Sequence, residues 1–308
     1  MKIKEALTES YIKLEKKGSD NPHLDAEILL AHILKKPREF LFAHPETELT
    51  KRQVSVFRFQ VSERLRGAPV AYITGEKEFY GLKFFVNKNV LVPRPETELM
   101  VETALALAKL TNEPIIFIDV GTGSGCIITA IAKAISNFQF PISNQFSMSN
   151  FQFVATDISA KALNIAKKNV KLNSVEKNIK FFQGNLLEPV LKSKIQNLKS
   201  KILICANLPY LTPAQIKKSP TLKFDPKLAL TAGKDGLKYY RELFIQINKL
   251  QITNYCILCE IDPSQKISIR RLAKRLLPPH EFDLKKDLRG HSRLAIITGR
   301  LQSTNNNQ

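Results

Sequence analysis

The sequence predicts an α/β protein in which a small helical domain and a β-hairpin linker precede a doubly wound, mostly parallel sheet. Three features carry that expectation. Over the first ~75 residues apolar side chains recur at three- and four-residue spacing, the period of helices with one buried stripe. From about residue 98 onward, short apolar runs alternate with helical patterns, the order that builds a parallel sheet covered on both faces. Between the first such run and its helix lies Asp119-Val120-Gly121-Thr122-Gly123-Ser124-Gly125, a strand-to-helix turn of the kind at which open α/β sheets take a ligand.

The helical domain, residues 1–75, opens with a helix carrying Leu7, Tyr11 and Leu14 and ending at Gly18. A second follows Asn21-Pro22 and carries Leu29, Leu30, Ile33 and Leu34. A third starts at Thr50-Lys51-Arg52-Gln53, where the Thr hydroxyl and Gln side chain can satisfy orphan backbone donors, and aligns Val54, Phe57, Val61 and Leu65 on one face. In the linker, residues 76–95, Phe79, Tyr80, Phe84, Phe85 and Val86 surround Gly81 in a hairpin pattern. The third domain, residues 96–302, reads as helix 99–110, strand 115–118, helix 126–135, strand 153–156, helix 160–172, and strands 179–183 and 202–205. Residues 136–150 (SNFQFPISNQFSMSN) carry no charge and suit neither a covered helix nor a central strand; a mobile surface insertion is expected there, and a disordered tail over 303–308.

Composition narrows the class. With 308 residues, 44% of them hydrophobic and 24% charged, the chain is no disordered polymer. Its 47 Lys and Arg against 28 Asp and Glu leave a net charge of +19, which suits nucleic acid, a ribosome or an acidic partner without choosing among them. The helical domain holds 13 basic and 10 acidic residues, so the excess lies elsewhere. No run of ~18 uncharged apolar residues exists and the N-terminus turns polar early, so a cytoplasmic protein with no membrane partner is expected. Cys126, Cys205, Cys256 and Cys259 lie in apolar stretches and read as reduced, buried thiols. Cys256 and Cys259 have C-x-x-C spacing, but on a strand they point to opposite faces, and the five histidines show no ligand spacing; no metal is assigned. Glu260-Ile261-Asp262-Pro263 reads as a strand end followed by a helix cap.

The glycine turn has the spacing G-x-G-x-G, and Cys126 stands where a dinucleotide fingerprint would need its last glycine. That shifts the balance toward S-adenosylmethionine, which has no pyrophosphate to seat on a helix N-terminus. Asp157 ends the next strand, where a carboxylate can accept from both ribose hydroxyls. Alone, the glycines could be a tight turn and Asp157 a helix cap. A second motif, Asn207-Leu208-Pro209-Tyr210, follows another strand at the same sheet edge. A planar nitrogen is a poor nucleophile because its lone pair is delocalised, so alignment by acceptors for its N–H hydrogens helps. The Asn207 side-chain oxygen and the Leu208 carbonyl can do this, Pro209 restricts Leu208 to extended backbone, and Tyr210 offers a flat face to the substrate.

Together these residues resemble the release-factor glutamine methyltransferases, the HemK or PrmC family, over nearly the whole chain. Carrying the resemblance are residues 24–32 (LDAEILLAH), 66–75 (RGAPVAYITG), 90–98 (VLVPRPETE), the glycine turn, residues 207–210, 224–230 (FDPKLAL) and 233–237 (GKDGL). It implies a Rossmann-like class I S-adenosylmethionine-dependent methyltransferase domain, and methylation of the Gln side-chain amide in the Gly-Gly-Gln motif of peptide chain release factors. It further implies that Asp119, Gly121, Thr122, Gly123, Ser124, Gly125 and Asp157 hold the cofactor. Asn185 and Leu186 would lie near its adenine, Asn207 through Tyr210 would hold the glutamine amide, and the helical domain would grip the release factor. Two departures stand out: Leu208 where the family usually has Pro, and Asn185 where it often has Asp. Asn-Leu-Pro-Tyr also occurs in ribosomal-RNA adenine dimethyltransferases, which +19 would suit. Those enzymes usually carry their helical domain after the catalytic one and lack Pro93-Arg94-Pro95-Glu96-Thr97-Glu98, so RNA is disfavoured as methyl acceptor. A ribosomal-protein glutamine methyltransferase is a nearer rival, and a non-catalytic basic binding protein a distant one.

Overall fold

The computed structural model describes residues 1–111, 113–137, 150–191, 193, 200–218, 220–249 and 254–299. The chain divides into two compact units, Met1–Glu76 with Ser219–Phe224, and Lys77–Lys218 with Asp225–Gln308.

The smaller unit contains α1 (Ile3–Lys16), α2 (Pro22–Leu34), α3 (Arg38–Ala43), α4 (Lys51–Leu65) and α5 (Val70–Thr74). Ile3, Leu7, Leu14, Leu29, Leu30, Phe57 and Val61 form its core. The capping box at the start of α4 is present: the Gln53 amide nitrogen of the backbone donates to the Thr50 hydroxyl (3.2 Å) and the Thr50 backbone N–H to Gln53 Oε1 (2.9 Å). α3 and α5, only six and five residues long, are too short to leave a helical period in the sequence. The acids of the 24–32 segment are structural here: Asp25 accepts from Arg64 Nε at 2.7 Å, and Glu27 pairs with Arg38.

The larger unit starts with a hairpin, β1 (Glu76–Phe79) and β2 (Leu82–Phe85). Its two-residue turn places Tyr80 and Gly81 at φ +53° and +68°, the left-handed pair that matches strand twist. Phe79 and Phe84 are buried in the core of this unit, and the Asn169 side chain exchanges two hydrogen bonds with the Phe85 backbone (2.7 and 3.0 Å). Thus the hairpin is part of the larger unit's packing, not a free tether.

α6 (Glu98–Lys109), β3 (Ile115–Val120), α7 (Cys126–Asn137), β4 (Phe151–Asp157), α8 (Ala160–Leu172), β5 (Ile179–Gln183), α9 (Glu188–Leu191), β6 (Lys201–Ala206), α10 (Pro213–Lys218), α11 (Lys238–Lys249), β7 (Tyr255–Glu260), α12 (Lys266–Leu276), β8 (His280–Lys286) and β9 (Ser292–Gly299) follow. They build a seven-stranded sheet of order β5-β4-β3-β6-β7-β9-β8. β5 through β7 are parallel, and β9 and β8 add an antiparallel edge. That edge was not expected from the sequence, because β8 (HEFDLKK) is charged and only half covered. α7 runs two residues into the uncharged stretch, through Ser136 and Asn137; positions 138–149 and the tail lie outside the described residues.

Alternate side chains of β3 enter two cores, as the two-residue period of a strand requires. Ile115 and Phe117 face α6 and α7, and Ile116, Ile118 and Val120 face α11 and α12. Phe117 stacks on Phe153 at 5.4 Å between ring centroids, a pairing that adds about 1 kcal/mol to area burial. Cys256 and Cys259 lie in opposite cores, and all four thiols are buried and unbridged.

The sheet register places the loops. Val120 pairs with Thr156 on one side and Ala206 on the other, Asp157 with Gln183, and Ala206 with Cys259. Residues 121, 157, 184, 207 and 260 therefore leave the same carboxyl edge side by side. After β5 the chain returns across β3 to place β6 on its other side, so β3 and β6 flank the point where strand order reverses, where such sheets open a crevice.

Candidate active site

That crevice is a cleft of ≈ 330 Å³, a volume suited to a small-molecule ligand. Of the residues expected from the sequence, Gly121, Thr122, Gly123, Ser124, Asp157, Asn185, Leu186, Asn207, Leu208 and Pro209 line it.

Its donor-loop side is built on backbone. Gly121 has φ +70°, and a Cβ there would meet Leu208 Cδ2 at 2.9 Å. Leu208, the residue that departs from the family pattern, thus fills the space a larger side chain at 121 would need and joins the two motifs. Gly125 has φ +77°, and a Cβ would crowd Ala166 of α8 at 3.0 Å, so its role is helix packing behind the loop. Asp157 Oδ2 accepts from the Gly123 N–H (2.9 Å) and Oδ1 from the Ser159 N–H (2.8 Å). The carboxylate, with about four lone-pair sites, keeps acceptor capacity for a ligand beyond these backbone donors. Ser159, not Asp157, caps α8. Burial pushes the Asp157 carboxyl above the usual carboxylate range.

Asp119, Gly125 and Tyr210 do not line the cleft. Asp119 ends up beneath the glycine turn, 1% exposed, because its strand is covered on both faces; its Oδ2 accepts from the Thr122 hydroxyl at 2.6 Å. Burial pushes its carboxyl up to about 7. The Tyr210 ring packs on the core beside α11 and α12 instead of facing the cleft, and its hydroxyl donates to Glu260 Oε1 at 3.3 Å.

Glu260, read from sequence as a strand end, is the residue that sequence reasoning missed. It is 3% exposed, and β6–β7 register sets it beside Asn207. Glu260 Oε2 accepts from the Thr97 hydroxyl (2.7 Å) and from Asn207 Nδ2 (3.0 Å), and Nδ2 also donates to Thr97 Oγ1 (3.0 Å). The Asn207 amide nitrogen is thus committed to this adjacent pair of oxygens, which leaves Oδ1 to accept from a ligand. Burial raises the Glu260 carboxyl, opposed by these donors and by Arg293. Thr97 lines the cleft, and its place in the Pro93–Glu98 segment was the available signal. That segment is a set of anchors: Arg94 Nη2 donates to Asp225 (3.1 Å), and Glu98 accepts from the Tyr80 N–H (2.8 Å). Asp262 caps the next turn, accepting from the Ser264 N–H at 2.9 Å, as the sequence suggested.

At the far end of the cleft Asn185 follows Gly184, and Leu186 takes φ +51°. Asn185 Nδ2 donates to Glu242 Oε1 of α11 at 2.5 Å. Chemically, the cleft offers a carboxylate and a close-approach backbone turn between two asparagine amides, Asn185 and Asn207.

The described residues include no helix long and apolar enough to cross a membrane. Residues 5–75 match the family model described as PrmC N-terminal domain, and residues 112–274 match that described as methyltransferase domain. A release factor glutamine methyltransferase of Rhodopirellula baltica is 35% identical, over 91% of this chain and 90% of its own length. A bifunctional methyltransferase of Rickettsia bellii is 30% identical over 96% of this chain but 54% of its own length, so the chain spans about half of that relative. Among solved structures, the catalytic domain of hMettl16 in complex with MAT2A 3′UTR hairpin 6 superposes with a TM-score of 0.54 over 89% of this chain and 93% of that one, at 15% identity, a likeness of fold.

Proposed function

The chain belongs to the release factor glutamine methyltransferase family, and from that premise we propose that it methylates the side-chain amide nitrogen of the Gln in the Gly-Gly-Gln motif of peptide chain release factors, with S-adenosylmethionine as donor. The reading rests most on Asn207: an amide whose nitrogen is held by Thr97 and Glu260 has its oxygen left to accept from a substrate in the cleft.

The cleft residues fit the donor. Asp157 would take the ribose hydroxyls, the turn at Gly121 would let the amino-acid end approach the backbone, and Asn185 Oδ1 would accept from the adenine amine. When bound, S-adenosylmethionine supplies an electrophilic methyl group on a sulfonium. Asn207 Oδ1 and the Leu208 carbonyl accept the two N–H hydrogens of the glutamine amide and so fix the plane of its nitrogen. Glu260 keeps Asn207 in the accepting orientation, because an ionised carboxylate can only accept. Tyr210 contributes by holding Glu260. The amide nitrogen would take the methyl group as the carbon–sulfur bond of the sulfonium breaks to leave a neutral thioether, and the proton it loses would pass to water. Alignment, not an ionised base, lowers the barrier. We assign the helical unit to recognition of the release factor and the reaction to the cytoplasm, where release factors work.

The test is transfer of labelled methyl from S-adenosylmethionine to purified release factor, a Gln-to-Ala variant of its Gly-Gly-Gln motif, and bare ribosomal RNA. Label confined to the unaltered factor is expected. Label on RNA alone would make the basic surface the substrate site and overturn the reading.

A further inference from the structure

Asn185, like Asn207, is tethered through its amide nitrogen. Two residues of α11 one turn apart hold the segment after β5: Glu242 Oε1 accepts from Asn185 Nδ2 at 2.5 Å, and Gln246 Oε1 accepts from the Leu187 N–H at 2.8 Å. Tyr239, three residues before Glu242 on the same helix, lines the cleft with Asn185. A free asparagine could turn either its oxygen or its nitrogen to a ligand. With its nitrogen held at Glu242, the Asn185 amide has Oδ1 left to accept from a ligand.

We propose that Glu242 is a specificity-positioning residue that locks Asn185 as an acceptor, so that the cleft selects a 6-amino purine over a 6-oxo purine. The proposal rests on the reading that this end of the cleft binds the adenine of the methyl donor. A 6-amino group donates to Asn185 Oδ1, whereas a 6-oxo group sets two acceptors against each other, and burying an unpaired polar group is costly. Where the family often has Asp, an acceptor by nature, this chain has Asn made an acceptor by its neighbour.

The experiment is equilibrium binding of S-adenosylhomocysteine and its deaminated analogue S-inosylhomocysteine, by calorimetry. Unaltered protein is expected to prefer the adenosyl compound by on the order of tenfold or more. Glu242→Gln, which is isosteric and lets the amide pair turn over together, is expected to lower that ratio several-fold. The reversed pair, Asn185→Asp with Glu242→Gln, restores a fixed acceptor at 185 and is expected to restore the ratio. A ratio unchanged in Glu242→Gln, or not recovered in the reversed pair, overturns the proposal. Failure of the unaltered protein to bind S-adenosylhomocysteine overturns the underlying reading instead. A purely structural role for Glu242 would weaken both ligands alike and leave the ratio unmoved.

Discussion

The two ends of the cleft use one device at different depths. At the acceptor end, Asn207 is held by Glu260, a carboxylate 3% exposed and tied also to Thr97 and Tyr210. At the other end, Asn185 is held by Glu242, which is only half-buried. Burying a carboxylate costs stability unless donors surround it, and Glu260 accepts from three groups where Glu242 accepts from the Asn185 amide. The difference teaches that the orientation of Asn207 is maintained by a network built into the sheet, while that of Asn185 is a local contact of one helix.

Substitutions can break that contrast in order of expected effect. Asn207→Ala removes the acceptor aimed at the reacting amide and is expected to lower single-turnover transfer by about a thousandfold, with S-adenosylhomocysteine affinity within about twofold of normal. Equal loss of rate and affinity would show that the acceptor end also carries cofactor binding. Asp157→Ala should do the reverse, raising the S-adenosylhomocysteine Kd by on the order of a hundredfold as both ribose acceptors disappear; unchanged affinity in calorimetry would remove Asp157 from the site.

Glu260→Gln keeps shape but lets the Asn207 amide turn over, and a rate loss on the order of tenfold with unchanged cofactor affinity is expected. This variant also sharpens the role of charge. The Glu260 carboxyl titrates above the ordinary range of a glutamate, ~4.3. Once protonated it can donate to Asn207 Oδ1, so the unaltered enzyme should lose rate on the acid side of that raised value. In a pH–rate profile that acid limb should be absent from Glu260→Gln, and its persistence there would assign it to another group.

The smallest effect concerns the support beneath the glycine turn. Asp119 has a folded pKa of about 7, above its unfolded value of ~3.9. Its protonated form is favoured in the folded protein, so the stability it contributes is full below the unfolded value and is lost as pH rises through about 7. Asn at this position cannot ionise. The melting temperature of Asp119→Asn should therefore gain on that of the unaltered protein by on the order of 3 °C between about pH 5 and about pH 8. A constant difference across that range would mean that Asp119 does not titrate there.

The sequence made the elements around the donor loop readable because their signals are local. A Gly at positive φ, an apolar strand and a capping box announce themselves within a few residues, as at Gly121, Ile115–Val120 and Thr50. Asn207 and Asp157 were legible for the same reason, each standing at a strand end. Glu260, Thr97 and Glu242 were not, because their chemistry comes from pairing across 53, 110 and 57 residues of sequence. The sequence offers Tyr210 as a flat face for the substrate, and the bond of its hydroxyl to Glu260, 50 residues away, has no local signal. The edge strand β8 escaped notice because a half-covered charged strand has no apolar run to mark it.

The central claim is that this cleft aims a planar primary amide at a methyl donor. Its most direct test is fragment-ion mapping of a release factor after incubation with the protein and S-adenosylmethionine. One methyl group on the side-chain nitrogen of the Gly-Gly-Gln glutamine, absent when Asn207→Ala replaces the enzyme, is the expected result. A methyl group on any other residue, or one that persists with Asn207→Ala, would contradict the account.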